Sequence, residues 1–377
     1  MTRAEAVIDL AAVRSNLTVI EAAVGGSQVM AVVKADAYGH GMAQVAQEAR
    51  SIGVPWLGVA LLSEARALRQ AGDTGRLLAW LWAPADPDLE SCVASDVDIS
   101  VSSLWALAEV ADRAQRIGVR ARVHLKVDTG LSRNGAGLGD WAGLVAAARE
   151  AQDRGAVEVV SVWSHLANAD RRAEPSVADQ REQYEDACTV ASDAGLEPGL
   201  RHLANTPAAF GYPETRYDLV RVGIGMYGVP PSTPGSAAAL GLTSAMTLRS
   251  RLALVKTISA GQSVSYGSSW TAQRATRVGL VPLGYADGVP RSASGRAEVT
   301  LAGVRCPIIG RIAMDQFVIA IDDRIEHAQA GDEVVLFGDE ASGAPTADDW
   351  AMASDSIGYE IVTRVSARVP RRYVGAR

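Results

Sequence analysis

The chain has 377 residues, 48% of them hydrophobic and 21% charged, which is the composition of a globular protein of two or three domain-sized units and excludes a disordered or fibrous one. Acidic residues outnumber basic ones by 43 to 36, for a net charge of −7, so a protein that tracks nucleic-acid phosphates is set aside. The start, MTRAEAVIDLAAVRSNL, lacks the basic region, apolar core and cleavage site of a secretory leader, and no stretch of eighteen apolar residues follows. A soluble cytoplasmic protein with no membrane partner is the expectation. Cys92, Cys188 and Cys306 are odd in number and far apart, which suits reduced packing residues better than disulfides or a metal site.

In chain order, a strand-like AVIDL comes first. Eight short apolar runs follow: QVMAVVKA from 28, WLGVA from 56, LLAWL from 77, DISVS from 98, ARVHLKVD from 121, VEVVSVWSH from 157, LRHLAN from 200 and DLVRVGIGMYG from 218. Amphipathic segments such as SLWALAEVADRAQRIG and WAGLVAAAREAQDRG lie between them, with apolar residues at helical spacing and a glycine stop. Eight strand–helix alternations in roughly 230 residues predict an α/β fold with an N-terminal (β/α)8 TIM-like barrel, although an open doubly wound sheet also fits the alternation. The segment VPPSTPGSAAA over 229–239 reads as a linker. Beyond it the rhythm turns to short runs broken by Gly and Pro, and then to one helix capped by Thr346 and Asp349. The expected division is a barrel over 1–232 and a mostly β domain over 233–377.

Of the 36 basic residues, only Lys34, Lys126 and Lys256 are lysine. An arginine-biased chain that retains a lysine points to chemistry that arginine cannot perform, since a guanidinium does not give up its proton to become a nucleophilic amine. In a barrel the carboxyl ends of the strands face the active site. Lys34 ends the first barrel strand, where desolvation lowers an amine toward neutrality and suits it to act as a base or a Schiff-base amine; a snorkelling strand-end charge reads equally well. His165 ends the sixth strand, and His202, Asn205 and Thr206 follow the seventh. Arg221, between Val220 and Val222, needs an acceptor, because an unpaired buried charge is costly. Gly223 and Gly225 flank Ile224, where backbone N–H groups could cradle a phosphate. A phosphorylated cofactor that also takes a lysine Schiff base is pyridoxal 5'-phosphate.

The motifs VVKADAYGHG, KVDTGLSRNG, NT at 205–206, RVGIGMYG, VSYGSSW, GYADGVPR, GRIAMDQ and YEIVTRVSARVPRRY occur in order along nearly the whole chain. It resembles the alanine racemase family. The resemblance implies a pyridoxal-phosphate enzyme of fold type III that interconverts L- and D-alanine and supplies D-alanine for peptidoglycan, with a barrel, a C-terminal β domain and a head-to-tail homodimer. It implies that Lys34 is the Schiff-base lysine and that Tyr38, Thr206, the backbone of Gly223 and Ile224, and Tyr359 hold the phosphate. It also implies that Arg221 faces the pyridine nitrogen, that His165 bridges toward Arg221 and Tyr266, and that Arg133 and the backbone of Met314 hold the substrate carboxylate. Lys126 occupies a position that some members carbamylate, and Asn205 and Asp315 support the set from behind. The family usually has glycine where Ser132 stands and leucine where Asn134 stands, which bears on how Arg133 is aimed.

Racemisation needs a proton carrier on each face of the substrate. The resemblance assigns Lys34 to the D-isomer and Tyr266, from the partner subunit, to the L-isomer. A tyrosine with an ordinary pKa of about 10 needs help at neutral pH, which proximity to His165 and Arg221 supplies. Arg221 donates a hydrogen bond to the pyridine nitrogen without protonating it, which disfavours transamination. Three alternatives are a racemase of broader range that includes serine, a non-catalytic pyridoxal-phosphate-binding protein, and a decarboxylase of the same plan. The β domain carrying Tyr266 and Met314 argues against the second, and the arginine at position 221 against the third.

Overall fold

The structure is a computed structural model that describes residues 2–171, 173–232 and 236–376. After β1 (Ala4–Asp9), the eight apolar runs form β2 (Gln28–Val32), β3 (Trp56–Leu61), β4 (Arg76–Leu81), β5 (Asp98–Val101), β6 (Ala121–Lys126), β7 (Val157–Trp163), β8 (Leu200–His202) and β9 (Leu219–Val222). They pair in parallel in the order β8-β7-β6-β5-β4-β3-β2-β9. The end strands β8 and β9 meet through Asp218 N–H to the Arg201 carbonyl (3.1 Å) and Arg221 N–H to the Ala204 carbonyl (3.0 Å), which nearly closes an eight-stranded barrel. Its lower interior is filled by Met30, Trp56, Leu78, Val160 and Leu219.

The helix expected from SLWALAEVADRAQRIG runs over Leu104–Ile117: Ser103 caps its first turn by accepting the Ala106 N–H, and Gly118 ends it at φ 72°. A left-handed C-terminal residue costs glycine nothing, because it has no Cβ.

The second sheet is built from β10 (Met246–Arg251), β11 (Leu254–Ile258), β14 (Thr276–Val281), β15 (Glu298–Leu301), β16 (Val304–Ile309), β17 (Phe317–Ala320) and β18 (Glu333–Phe337), with β1 and β19 (Arg371–Val374) at one edge. A short hairpin, β12 (Ser263–Val264) and β13 (Trp270–Thr271), stands apart. The capping box expected at Thr346 forms reciprocally. The Asp349 N–H donates to the Thr346 hydroxyl (3.0 Å) and the Thr346 N–H to the Asp349 carboxylate (2.9 Å).

The chain folds as two compact units, Leu17–Ala37 with Met42–Gly223, and Met1–Asn16 with Tyr38–Gly41 and Ile224–Arg377. This departs from an expected division at 232/233. The first strand belongs with the β unit because its ladders are with β10, antiparallel, and β19, parallel. Part of the expected linker, residues 233–235, lies outside the described residues.

Candidate active site

Within the barrel unit, Lys34 follows β2 and is partly buried. The residues after it turn left-handed: Ala35, Asp36, Ala37 and Tyr38 all have φ between 53° and 54°. Each such residue with a Cβ costs about 1–2 kcal/mol. Specific bonds hold the turn. The Ala35 N–H donates to the Glu64 carboxylate (2.6 Å), which also accepts from the Ala60 and Leu61 N–H groups, and the Asp36 carboxylate accepts the Met42 N–H (2.8 Å).

Burial, reinforced by the Arg133 charge, lowers the Lys34 amine below its ordinary range against the opposing pull of Glu64. Lys126, at the end of β6, is almost fully buried with its amine over the Trp163 ring, 4.2 Å from the centroid. Burial first, and then the charges of Arg221, Arg133 and Lys34, push it down to about 7. Arg133 lies on the loop after β6. That loop folds back so that the Ala136 N–H reaches the Lys126 carbonyl (2.8 Å), while the Asp128 carboxylate accepts the N–H groups of Gly130 and Ser132. Gly135 is required there, since a Cβ would lie 2.6 Å from the Asp128 nitrogen. Ser132 has φ 54°, a conformation that glycine takes without strain, which accounts for the family's usual residue at that position.

Arg221 is buried and held on many sides. Its Nη1 donates to His202 Nδ1 (2.9 Å) and the His202 carbonyl (3.0 Å). Its Nη2 donates to the carbonyls of Ser164 (2.8 Å) and Leu203 (3.0 Å) and to His165 Nδ1 (3.1 Å). Five acceptors surround the two Nη groups, and Nε stays outside this set. Burial lowers the guanidinium to about 9, so it is charged at neutral pH. Burial and then Arg221 hold His165 neutral. With its Nδ1 accepting, the proton sits on Nε2. Gln180 steadies the same residue by donating to the His165 carbonyl (3.2 Å).

Asn205 caps the helix Thr206–Gly211 by accepting the Ala208 N–H (3.2 Å). The Thr206 hydroxyl accepts the Gly223 N–H (3.0 Å). That bond occupies the Gly223 donor expected to meet a phosphate and leaves the hydroxyl proton of Thr206 to do so. Ile224 opens a helical turn over Ile224–Tyr227.

Within the β unit, the Tyr38 ring lies 5.0 Å from Tyr227 and 6.3 Å from Tyr359, which brings two expected phosphate ligands together. Burial raises the Tyr38 phenol far above its ordinary range, so it acts only as a neutral hydroxyl. Tyr266 begins a tight turn between β12 and β13 and is 72% exposed. Met314 is 53% exposed; its carbonyl accepts the Ala286 N–H (3.0 Å), and its own N–H makes no hydrogen bond among the described residues. Asp315 pairs with Arg368 (2.7 Å). Lys256 is exposed on the edge strand β11.

Two groups escape a sequence reading. Asp98 and His124 are fully buried in the barrel and linked to His202. Their only sequence signal is a polar residue interrupting an apolar run. Asp287, in GYADGVPR, is buried in the β unit and receives Arg3, Arg368 and the Gly284 N–H.

Residues 8–231 match the family model described as the alanine racemase N-terminal domain, and residues 245–373 match the one described as the C-terminal domain. The chain belongs to the alanine racemase family. A relative from Frankia casuarinae named alanine racemase is 51% identical, the alignment covering 99% of this chain and 96% of the relative. One of that name from Streptomyces coelicolor is 48% identical over 99% and 96%. The solved alanine racemase from a D-cycloserine-producing Streptomyces lavendulae superposes with a TM-score of 0.98 at 50% identity, over 100% of this chain and 98% of that one.

Proposed function

We propose that this chain is an isomerase that interconverts L- and D-alanine with pyridoxal 5'-phosphate attached to Lys34. The observation that carries this reading is the charge of the barrel mouth. Lys34, Lys126, Arg133 and Arg221 act on one another there, with Glu64 and Asp128 as the acidic groups that oppose them. Such a mouth calls for anionic ligands, and a phosphate together with a substrate carboxylate supplies them. The donor chemistry of each unit also fits the cofactor: in the barrel unit a lowered amine to attach it, an Arg221 Nε–H for a ring nitrogen and the Thr206 hydroxyl for a phosphate, and in the β unit the hydroxyls of Tyr38 and Tyr359 with the first N–H groups of the turn at Ile224.

When bound, the cofactor supplies a conjugated ring that makes the α-proton of an attached amino acid removable near neutral pH. The residues of the chain do the rest. Arg133 and the Met314 N–H hold the carboxylate. Arg221 keeps its own proton and gives the pyridine nitrogen a hydrogen bond only. Lys34, whose amine burial and Arg133 lower from its ordinary range, moves a proton on one face of the substrate. The partner subunit's Tyr266 moves it on the other face, and His165, neutral with its proton on Nε2, donates to that phenol oxygen and stabilises its ionised form.

A homodimer is supported by what each unit leaves uncovered. Leu104 and Trp105 on the barrel unit are 57% and 45% exposed, and Tyr266 and Met314 are open on the β unit. Large apolar side chains left open on each unit are surface that an interface would cover. The test is loss of optical rotation from L-alanine, and separately from L-serine, with added cofactor. Turnover of alanine supports the reading, equal turnover of serine moves it to the broader racemase, and turnover of neither refutes it.

A further inference from the structure

Asp98, at the first residue of β5, is buried with both carboxylate oxygens engaged. Oδ1 accepts from Arg122 Nε (2.8 Å), and Oδ2 from Arg76 Nη2 (2.6 Å) and His124 Nε2 (3.0 Å). His124 Nδ1 lies 3.0 Å from His202 Nε2, and His202 Nδ1 lies 2.9 Å from Arg221 Nη1. Three strands and the interior of the barrel thus bring one unbroken line of hydrogen bonds from the amino end of β5 to Arg221.

The proton positions along this line are not free. Arg221 can only donate, so His202 Nδ1 must accept and the ring proton sits on its Nε2. His202 therefore donates to His124 Nδ1, and the proton of that ring sits on Nε2, where only an acceptor can receive it. The carboxylate of Asp98 is that acceptor. Every bond points the same way, from Arg221 toward Asp98, with both imidazoles neutral. A second proton on either ring would set two donors against each other. The groups facing them oppose such a proton too: Arg76 and Arg122 near His124, and Arg221 and Lys126 near His202. Aromatic rings also pack along the line, with Trp56 edge-on to His124 and Trp163 stacked on His202 at 5.3 Å.

We propose that Asp98 is a positioning residue for Arg221: by fixing the tautomers of His124 and His202 it makes His202 Nδ1 an acceptor, which locks the Nη side of the guanidinium and leaves Nε–H as the donor available to a ligand. The part of this that concerns a pyridine nitrogen rests on the function proposed above. The tautomers themselves do not.

The test is nitrogen-15 NMR of the histidine-labelled protein, which reads the site of each ring proton directly. In the unaltered protein, His124 and His202 are expected as single neutral Nε2–H tautomers between pH 6 and 8. In Asp98→Asn, an amide N–H can face the His124 ring and oppose the donors along the line, and His202 is expected to shift wholly or partly to Nδ1–H as its bond from Arg221 Nη1 breaks. In the cofactor-loaded Asp98→Asn protein, the absorbance band is expected to titrate at a displaced pH, and kcat to fall at least tenfold with KM changed less than threefold, because Arg221 does not touch the substrate carboxylate. A His202 that carries its proton on Nδ1, or on both nitrogens, in the unaltered protein overturns the proposal, as does an Asp98→Asn protein with unchanged tautomers. Should Asp98→Asn fail to fold, the unaltered spectrum decides. A protein with the expected tautomers but no racemisation refutes the function and not the relay.

Discussion

Lys126 offers the most quantitative check of the electrostatics. The residue is 4% exposed and its amine is lowered to about 7 from an ordinary 10.5, while the unfolded chain titrates near the ordinary value. Between those two pH values the unfolded state holds a proton that the folded state has released, so stability rises with pH there by about 1.4 kcal/mol per unit. Above the window both states are neutral and the amine costs nothing; below it both are charged and the full penalty applies. Lys126→Met keeps the stem and removes the charge. The variant is therefore expected to be more stable than the parent at pH 7, by roughly 2–4 kcal/mol once the compactness of the unfolded chain is allowed for, with the gap closing steadily toward pH 10. Urea titrations of the cofactor-free protein at several pH values, in carbon-dioxide-free buffer, measure this. A gap that does not change with pH, or a variant less stable than the parent at pH 7, would refute the assignment of a buried, charge-crowded amine. The same experiment in bicarbonate tests carbamylation, which needs a neutral amine: the carbamate would place an anion among Arg133, Arg221 and Lys34 and stabilise the parent alone.

Borohydride reduction of the cofactor-loaded protein is expected to fix the pyridoxyl group on Lys34, located by mass after digestion; an adduct chiefly on Lys126 or Lys256 would overturn the assignment. Ala35→Gly relieves one left-handed residue while keeping the N–H bond to Glu64, so thermal unfolding should show a gain of about 1 kcal/mol, less the entropy that glycine adds to the unfolded chain. Asp287→Asn removes the charge that Arg3 and Arg368 share in the β unit and should cost about 2 kcal/mol in urea titration; no loss would mean that these contacts contribute nothing. Lys34→Ala and Tyr266→Phe, each nearly inactive alone, should recover about a quarter of the parent activity when mixed and allowed to exchange subunits, since half the dimers become hybrids with one intact site. No recovery would place both residues on the same chain.

The eight barrel strands were legible because each is a short apolar run and most are separated by segments with apolar residues at helical spacing, and local pattern suffices for that. Composition drew attention to Lys34 and Lys126 because, in a chain with three lysines, both stand at or just past a barrel strand end. The partners of β1 were not legible, because AVIDL is as good an edge for one sheet as for the other and the choice is made by ladders with residues more than 230 positions away. The left-handed turn after Lys34 was hidden because in Ala-Asp-Ala-Tyr only Asp36 tolerates positive φ and no glycine marks it, and Glu64, on a later segment, is what holds it. The relay was hidden for a related reason. Asp98, His124 and His202 sit on β5, β6 and β8, and only the closing of the barrel brings their rings into line.

That closure also bears on how the mouth tolerates its charge. Lys34, Lys126, Arg133 and Arg221 repel one another, and in a barrel interior the repulsion is felt more strongly than in water. Three of the four have a release: the surroundings lower both lysine amines, Lys126 to about 7, and Arg133 reaches solvent on an exposed loop. Arg221 has neither option, being buried and a poor proton donor. Its compensation comes from within, through five acceptors on its Nη groups and a line of neutral imidazoles ending on a carboxylate held at about 2, where burial would raise it but the bond from His124 and the charges of Arg76 and Arg122 prevail. The cation that must not lose its proton is thus the one tied to the core. The two lysines, whose amines burial and their neighbours lower, are the groups through which the rest of the charge is relieved.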